Sequence, residues 1–373
     1  MLARLFNDTS DRLVAGGCIR PDVLLKGFRY GTVAPQRLSV LLIIAVSGLV
    51  LEPTAWLQSL CFGRQLKRCR HPDNPIIVIG HWRSGTTYLH QLLAADKQAA
   101  TARNSLTIAP QAALLLKPLL RPLLKRLMTA TRPIDAVCWG ADDPQEDELG
   151  LARLSIDTNM AGVAFPRDYS MHFRRCVLAT TSEFERLLLQ FTRLTWLHDG
   201  AGKTHLLIKN PAHMARIPLL LRLFPRARFV LLQRQPIDTI RSLVQVKQRL
   251  TELIGLQPAP SACVQVEETF AAHEELLQAF KASRALIPAG QLVEVSYDDL
   301  IHSPLHNVER IYTRLGLKNW QQARASIAER IQRGSGYRAA PVQLEPEAEQ
   351  RLRELLGSPS IALIDQTQPG RKH

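Results

Sequence analysis

The chain has 373 residues, with 47 Lys and Arg against 33 Asp and Glu, a formal charge of +14, and 46% hydrophobic and 21% charged residues. That balance is that of a folded globular protein and excludes a disordered, collagen-like, coiled-coil or many-span membrane chain. The cationic excess points to an anionic ligand or surface, while 6% aromatic residues argue against base-stacking single-strand binders.

In chain order, the first residues, MLARLFNDTSDRLVAGG, lose their apolar character at Asn7, Asp8 and Asp11, so no secretory signal is read there. The most apolar stretch, Leu38 to Leu51, carries no charge over 14 residues and stops at Glu52-Pro53. That is short of the ~20 residues a membrane span needs. A buried or interfacial helix is expected instead. The basic run RQLKRCRH, Arg64 to His71, makes residues 38–71 a candidate peripheral contact with an anionic membrane. Residues 1–72 are therefore read as an N-terminal helical segment packing on or near the core, and 73–373 as one α/β domain.

PIIVIG, Pro75 to Gly80, is a short β-branched run, as in a strand buried on both faces, and YLHQLLAAD follows at helical period. Residues 110–130 read as helix interrupted by Pro118 and Pro122. The acidic run ADDPQEDELG (141–150) leads into another helix. Further strands are expected at 205–209, 226–234 and 291–297. Helices are expected up to Phe224, from Pro236 towards Leu250, and over the C-terminal part, with a Pro-rich loop at 257–262, a glycine loop at 333–338 and a frayed end. Strands alternating with helices predict a parallel sheet covered on both faces, with ligands at the carboxyl ends of the strands. Cys18, Cys61, Cys69, Cys138, Cys176 and Cys263 have neither zinc nor disulfide spacing and read as thiols of a reducing compartment.

The loop Gly80-His81-Trp82-Arg83-Ser84-Gly85-Thr86-Thr87 has the glycine spacing of a Walker A loop. Such glycines let successive N–H groups wrap one anion, and the following helix adds its positive end. The Walker lysine is replaced by Thr86, the cation is Arg83 inside the loop, and the 226–234 strand ends Gln233-Arg234 with no Walker B aspartate. ATP or GTP hydrolysis is poorly supported by that set. Arg234 and Ser242, eight residues apart across a strand-to-helix turn, form a second candidate anion site.

Together, GHWRSGTTYLH and QRQPIDTIRSLV resemble the two nucleotide motifs of PAPS-dependent sulfotransferases. The blocks RPIDAVCWGADDPQEDELGLARL, HLLIKNPAHMARIPLLLRLFPRARFVLLQR and VEVSYDDLIHSPLHNVERIYTRLGL resemble the "sulfotransferase 3"-type branch, over roughly residues 35–330. The resemblance implies a P-loop-type three-layer fold, a central parallel sheet flanked by helices with helical cap insertions. It implies PAPS as cosubstrate, no metal, and a small-molecule, lipid or glycan acceptor bearing a hydroxyl or amine; no nucleic-acid partner is expected, because the basic residues are dispersed and form no recognised module. It implies a cytoplasmic setting, with peripheral attachment to the cytoplasmic face as the extension of the 38–71 reading.

Carried over by position, Arg83 neutralises the leaving oxygen, and Gly80, Ser84, Gly85, Thr86 and Thr87 wrap the 5′-phosphate. Tyr88 stands where many members place an adenine-stacking tryptophan. Arg234 and Ser242 hold the 3′-phosphate, and Lys209 contacts the transferred group. Many members carry a histidine base two residues after that lysine; here the position is Pro211, so the base stays open among Glu146, Glu148 and His213, with Glu146 placed first. His81 and Trp82 are expected to shape the pocket, and Arg333-Gly334 to stand in for a missing C-terminal phosphate motif. A P-loop kinase or NTPase, and a non-catalytic nucleotide-binding protein of the same fold, are the competing readings.

Overall fold

The computed structural model describes residues 2–128, 131–132, 134–135, 137, 139–334 and 342–357. The expected strands form as β1 (Ile76–Ile79), β3 (His205–Lys209), β4 (Arg228–Gln233) and β5 (Leu292–Ser296), joined by β2 (Ala99–Thr101). All five are parallel, in the order β2-β3-β1-β4-β5. β1 is central, with Ile77 beside Ile208 on one side and Phe229 on the other. Its residues alternate between two buried layers, Ile77 and Ile79 facing one and Ile76 and Val78 the other. A strand covered on both faces needs an unbroken apolar run, and IIVI supplies it. After β1 the chain crosses to the β3 side, then returns to place β4 on the other side. The β1 loop therefore opens at the switch point, where ligands bind in such sheets.

β2 is the strand the sequence reading missed. Its Ala-Ala-Thr has little strand character of its own, and it is held by pairing with β3 and by the Thr101 N–H donating to Asp199 at 3.0 Å.

Before the sheet come three helices, α1 (Leu2–Gly16), α2 (Pro21–Gly27) and α3 (Leu38–Arg68). α3 corrects the expectation of a short apolar helix ending at Glu52-Pro53: it runs 31 residues straight through Pro53. Pro53 sits on the exposed side, so the hydrogen bond it cannot donate is lost towards solvent. The helix lies along the domain and is tied to it from end to end. Arg37, just before it, donates to the Glu252 carbonyl (2.9 Å), and the Ser47 hydroxyl accepts from the Cys18 N–H (2.9 Å). Gly48 lies so close to the Ile19 carbonyl that a side chain there would collide with it. Gln58 donates to the Pro110 carbonyl (3.0 Å) and accepts from the Leu114 N–H (2.7 Å). Leu66 packs on the main core cluster.

In the 110–130 region the helix is confined to Lys117–Leu127, with Pro118 in its first turn and Pro122 inside it. The glycine loop expected at 333–338 lies mostly outside the described residues, as do Cys138 and the terminal residues 358–373. Arg333 ends a helix and pairs with Glu329. Cys18, Cys61, Cys69, Cys176 and Cys263 are free thiols.

Candidate active site

The loop after β1 is built on two glycines that admit no substitute. Gly80 has φ +142° and its hydrogen faces the Leu232 carbonyl so closely that a Cβ would overlap it; Gly85 has φ +96° and a Cβ would fall 2.5 Å from the Tyr297 ring. Between them Arg83 adopts φ 70°, a left-handed conformation unfavourable for a side-chain-bearing residue. Its surroundings hold it there. The Arg83 carbonyl accepts from Arg234 Nη1 (3.2 Å), Nε donates to Ser242 Oγ (2.9 Å) and Nη1 donates to Asp135 Oδ2 (3.0 Å). The Ser84 hydroxyl closes the loop internally on the His81 carbonyl at 2.8 Å. Helix α4 (Thr86–Leu93) begins at once, and its first backbone bond runs from the Leu89 N–H to the Gly85 carbonyl. The amides of Thr86, Thr87 and Tyr88 thus precede the ladder and are available to an anion.

Arg83 joins the two sites that the sequence reading kept apart. Through it the β1 loop reaches Ser242, on the buried face of the helix Pro236–Ile254, and Arg234 at the end of β4. Arg234 also lies 4.3 Å from the centre of the Tyr297 ring. Burial pushes the Asp135 carboxyl up, but Arg132 and Arg83 outweigh it and hold the group below the usual carboxylate range. Asp135 is a site residue the sequence reading did not single out.

Beside the loop lies an open cleft whose polar lining includes Arg83, Thr86, Thr87, Glu146 and Lys209. Much of the rest of the lining is apolar, with Ile108, Leu149, Val163, Leu243, Val246 and Leu250. Trp82 also lines it and rests against Phe173 at 6.4 Å between ring centres.

The acidic run and the end of β3 interlock residue by residue. Lys209 Nζ donates to Glu146 Oε2 at 2.7 Å, His213 Nε2 meets Asp147 Oδ2 at 3.1 Å, and Asn210 Nδ2 donates to Glu148 Oε2 at 2.6 Å. Arg216, wholly buried, adds a 3.4 Å contact to Glu148, whose other oxygen accepts from the Asn159 N–H at 2.6 Å. The three acids are separated by backbone geometry. Glu146 is extended (φ −68°, ψ 143°) just before the helix Asp147–Leu154, so its side chain leaves on the cleft side, while Asp147 and Glu148 begin the helix and turn inward. Glu146 and Lys209 line the cleft; Glu148 and His213, both buried, do not. Two of the three open base candidates are thus tied into the interior.

Tyr88 is half-buried against the helical layer formed by Trp320 and Ile327 and does not line the cleft. His81 is buried under the loop, its ring 4.7 Å from that of His273, and burial lowers its pKa well below the usual histidine range.

Two further cations line the cleft that sequence reasoning missed. Lys247 is buried 3.2 Å over the Tyr169 ring, donates to Thr269 Oγ1, and is pushed down to about 7 by burial, with Glu268 partly opposing this. Arg153 is fully buried and pushed down to about 10 by burial. It donates to the carbonyls of Leu149 (2.7 Å), Val14 and Ala15 (both 2.9 Å), the last two at the end of α1. Both sit on the buried faces of helices, where a cation reads as a solvated residue until the packing is known. Among the described residues no group of three His, Cys, Asp or Glu side chains is placed to hold a metal ion.

A parallel sheet with a glycine anion loop after its central strand, and a lysine–carboxylate pair facing that loop, defines a P-loop-like transferase fold. The profile of the Sulfotransferase family matches residues 75–322, and the chain belongs to that family. It is 26% identical over 295 residues to the omega-hydroxy-beta-dihydromenaquinone-9 sulfotransferases Stf3 of Mycobacterium bovis and Mycobacterium tuberculosis, a match covering 78% of this chain and 75% of each relative. Its fold is similar to that of sulfotransferase STF9 from Mycobacterium avium (TM-score 0.66, 18% identity, 87% of this chain and 83% of that one). Sulfotransferase STF1 from Mycobacterium tuberculosis H37Rv is a second structural neighbour (TM-score 0.60, 18% identity, 93% of both chains). The chain is therefore a transferase that uses a sulfonate donor.

Proposed function

We propose that the protein transfers a sulfuryl group from PAPS to a hydroxyl on an apolar, lipid-like acceptor. The observation that carries this is that the Glu146–Lys209 pair and Arg83 line one cleft, together with a run of apolar side chains that includes Ile108, Leu149, Val163, Leu243, Val246 and Leu250. In this reading the acceptor oxygen attacks sulfur in line. A new O–S bond forms as the S–O bond to the nucleotide phosphate breaks, and PAP leaves with the bonding pair. Glu146 takes the acceptor proton, and Lys209 lies beside the transferred oxygens. Arg83 and the amides of Thr86 and Thr87 neutralise the charge growing on the 5′-phosphate. Arg234 and Ser242 hold the 3′-phosphate, the group that separates PAPS from ATP.

The Arg83–Ser242 bond fits this reading, because the arginine then bridges the two phosphate sites it serves. The apolar wall, and the menaquinone-derived acceptor in the name of the Stf3 relatives, favour a lipid over a glycan. Calorimetric titration with PAP, AMP, ADP and ATP tests the donor assignment. PAP binding at least ten-fold tighter than AMP is expected; ATP binding as tight as PAP would refute the assignment and bring the kinase or NTPase reading forward. Failure to transfer sulfuryl to any long-chain alcohol despite tight PAP binding would refute the lipid-acceptor assignment.

A further inference from the structure

Helix α3 shows solvent an almost wholly apolar face. Leu42, Val50 and Trp56 are 63%, 72% and 67% exposed, and Leu38, Leu49 and Leu60 are exposed beside them. Over its most apolar window the mean hydropathy is 2.0 and only 17% of the residues are buried. At 1.5 Å per residue the helix is about 46 Å long, more than enough to cross a bilayer. Yet it is fastened along its length to the rest of the protein, from Arg37 through Gly48 and Gln58 to Leu66. A helix anchored to one domain at both ends and in the middle cannot also pass through hydrocarbon; it lies parallel to any membrane it meets.

Two independent features give that membrane its chemistry. The apolar face ends in exposed Arg64, Lys67 and Arg68, and Glu52 is the sole acid in the helix. The neighbouring helix Lys117–Leu127, which shares a buried cluster with α3 through Leu51 and Leu124, repeats the pattern: Leu119 and Leu123 are exposed among Arg121, Lys125 and Arg126. Apolar ridges rimmed by cations match an anionic bilayer, with alkyl chains beneath and phosphate headgroups around. Below α3, a small, partly open and largely apolar pocket touches Ile44 and Val23 and shares Ala15, Arg153 and Met160 with the cleft.

We propose that α3 and the helix Lys117–Leu127 form a docking face for an anionic lipid bilayer, on which the protein lies without spanning it, and that the pocket beneath α3 leads an acceptor's hydrocarbon chain from the bilayer to the cleft. The second clause rests on the lipid-acceptor reading. The first does not, and the experiment reads it without turnover.

The full chain is floated with vesicles of phosphatidylcholine alone and of phosphatidylcholine with one third phosphatidylglycerol. Binding to the anionic vesicles is expected, weakening as salt rises. The combined Leu42→Glu, Val46→Glu and Leu49→Glu variant should lose it at least ten-fold on both compositions. The Arg64→Glu, Lys67→Glu and Arg68→Glu variant should lose it at least ten-fold on the anionic vesicles only. Both should keep wild-type PAP affinity, which shows that they fold. Absence of vesicle binding, a dimer in light scattering that the glutamate substitutions dissolve while vesicles are ignored, or protease protection of one end of α3 inside sealed vesicles would each overturn the proposal.

Discussion

Glu146 and Glu148 stand two residues apart and offer the same functional group, so exchanging each for glutamine separates chemistry from architecture. Glu146→Gln keeps the shape and leaves Lys209 a neutral acceptor, but removes the only one of the three candidate bases that lines the cleft. General-base catalysis contributes about 10²–10⁴-fold, or about 2.7–5.5 kcal/mol of barrier. The expected result is a kcat loss of that size with unchanged PAP affinity and melting temperature. Glu148→Gln acts on the fold instead. Its carboxylate is the partner of wholly buried Arg216 and accepts from the Asn210 amide and the Asn159 N–H. An amide would turn a donor towards donors and leave Arg216 uncompensated. Breaking a buried pair costs about 3–5 kcal/mol. For a chain of 373 residues that lowers the melting temperature by about 4–6 °C. The assay is transfer from radiolabelled PAPS to a long-chain alcohol, run beside calorimetric melting. A Glu146→Gln enzyme retaining more than a tenth of wild-type kcat, or a Glu148→Gln enzyme that loses turnover at unchanged stability, would refute the division of roles.

Arg234→Ala should weaken PAP by about 10–150-fold, the worth of a charge-assisted hydrogen bond, and leave AMP unchanged; equal losses for both nucleotides would remove the 3′-phosphate role. Gly85→Ala and Gly202→Ala both place alanine at positive φ, but only the first meets a neighbour, the Tyr297 ring at 2.5 Å. Gly202→Ala should therefore cost about 1–2 kcal/mol of stability, and Gly85→Ala should cost more and also weaken PAP at least ten-fold. His172 is buried with both ring nitrogens unbonded, stacked on Phe165, and pushed down to about 4, chiefly by burial. Because the unfolded chain takes up that proton first, stability falls as pH drops from about 6.5 towards 4. His172→Phe should recover about 2 kcal/mol at pH 5 and nothing at pH 8, read as melting temperature against pH.

The elements legible in the sequence were those whose residues stated their own environment. IIVI, HLLIK and FVLLQ could only be buried strands, and glycines at 80 and 85 could only bound a tight loop. β2 was not legible, because Ala99 and Ala100 carry no strand preference and are in the sheet only because β3 lies beside them. Pro53 marks a helix end by local rule, yet α3 continues through it, because the proline is exposed and the helix is held by packing on both sides of it. The site divides in the same way. Arg83, Thr86, Thr87 and Lys209 follow from local pattern and resemblance. Asp135 reaches Arg83, and Arg153 and Lys247 reach the cleft, by tertiary packing alone. Choosing among Glu146, Glu148 and His213 required knowing that one residue of backbone precedes the helix, which turns the first acid outward and the next two inward.

The grip of Arg153 on the end of α1 bears on how this protein can be cut. The family match begins at residue 75, and a truncation designed on sequence likeness would start there. Yet Val14 and Ala15 form part of the cleft wall, and their carbonyls receive a guanidinium that is fully buried. Removing the first 74 residues would strip that cation of two acceptors and open the apolar wall to water. The part of the chain that the family match covers thus lacks a piece of its own cleft wall, which is supplied by a helix lying before it.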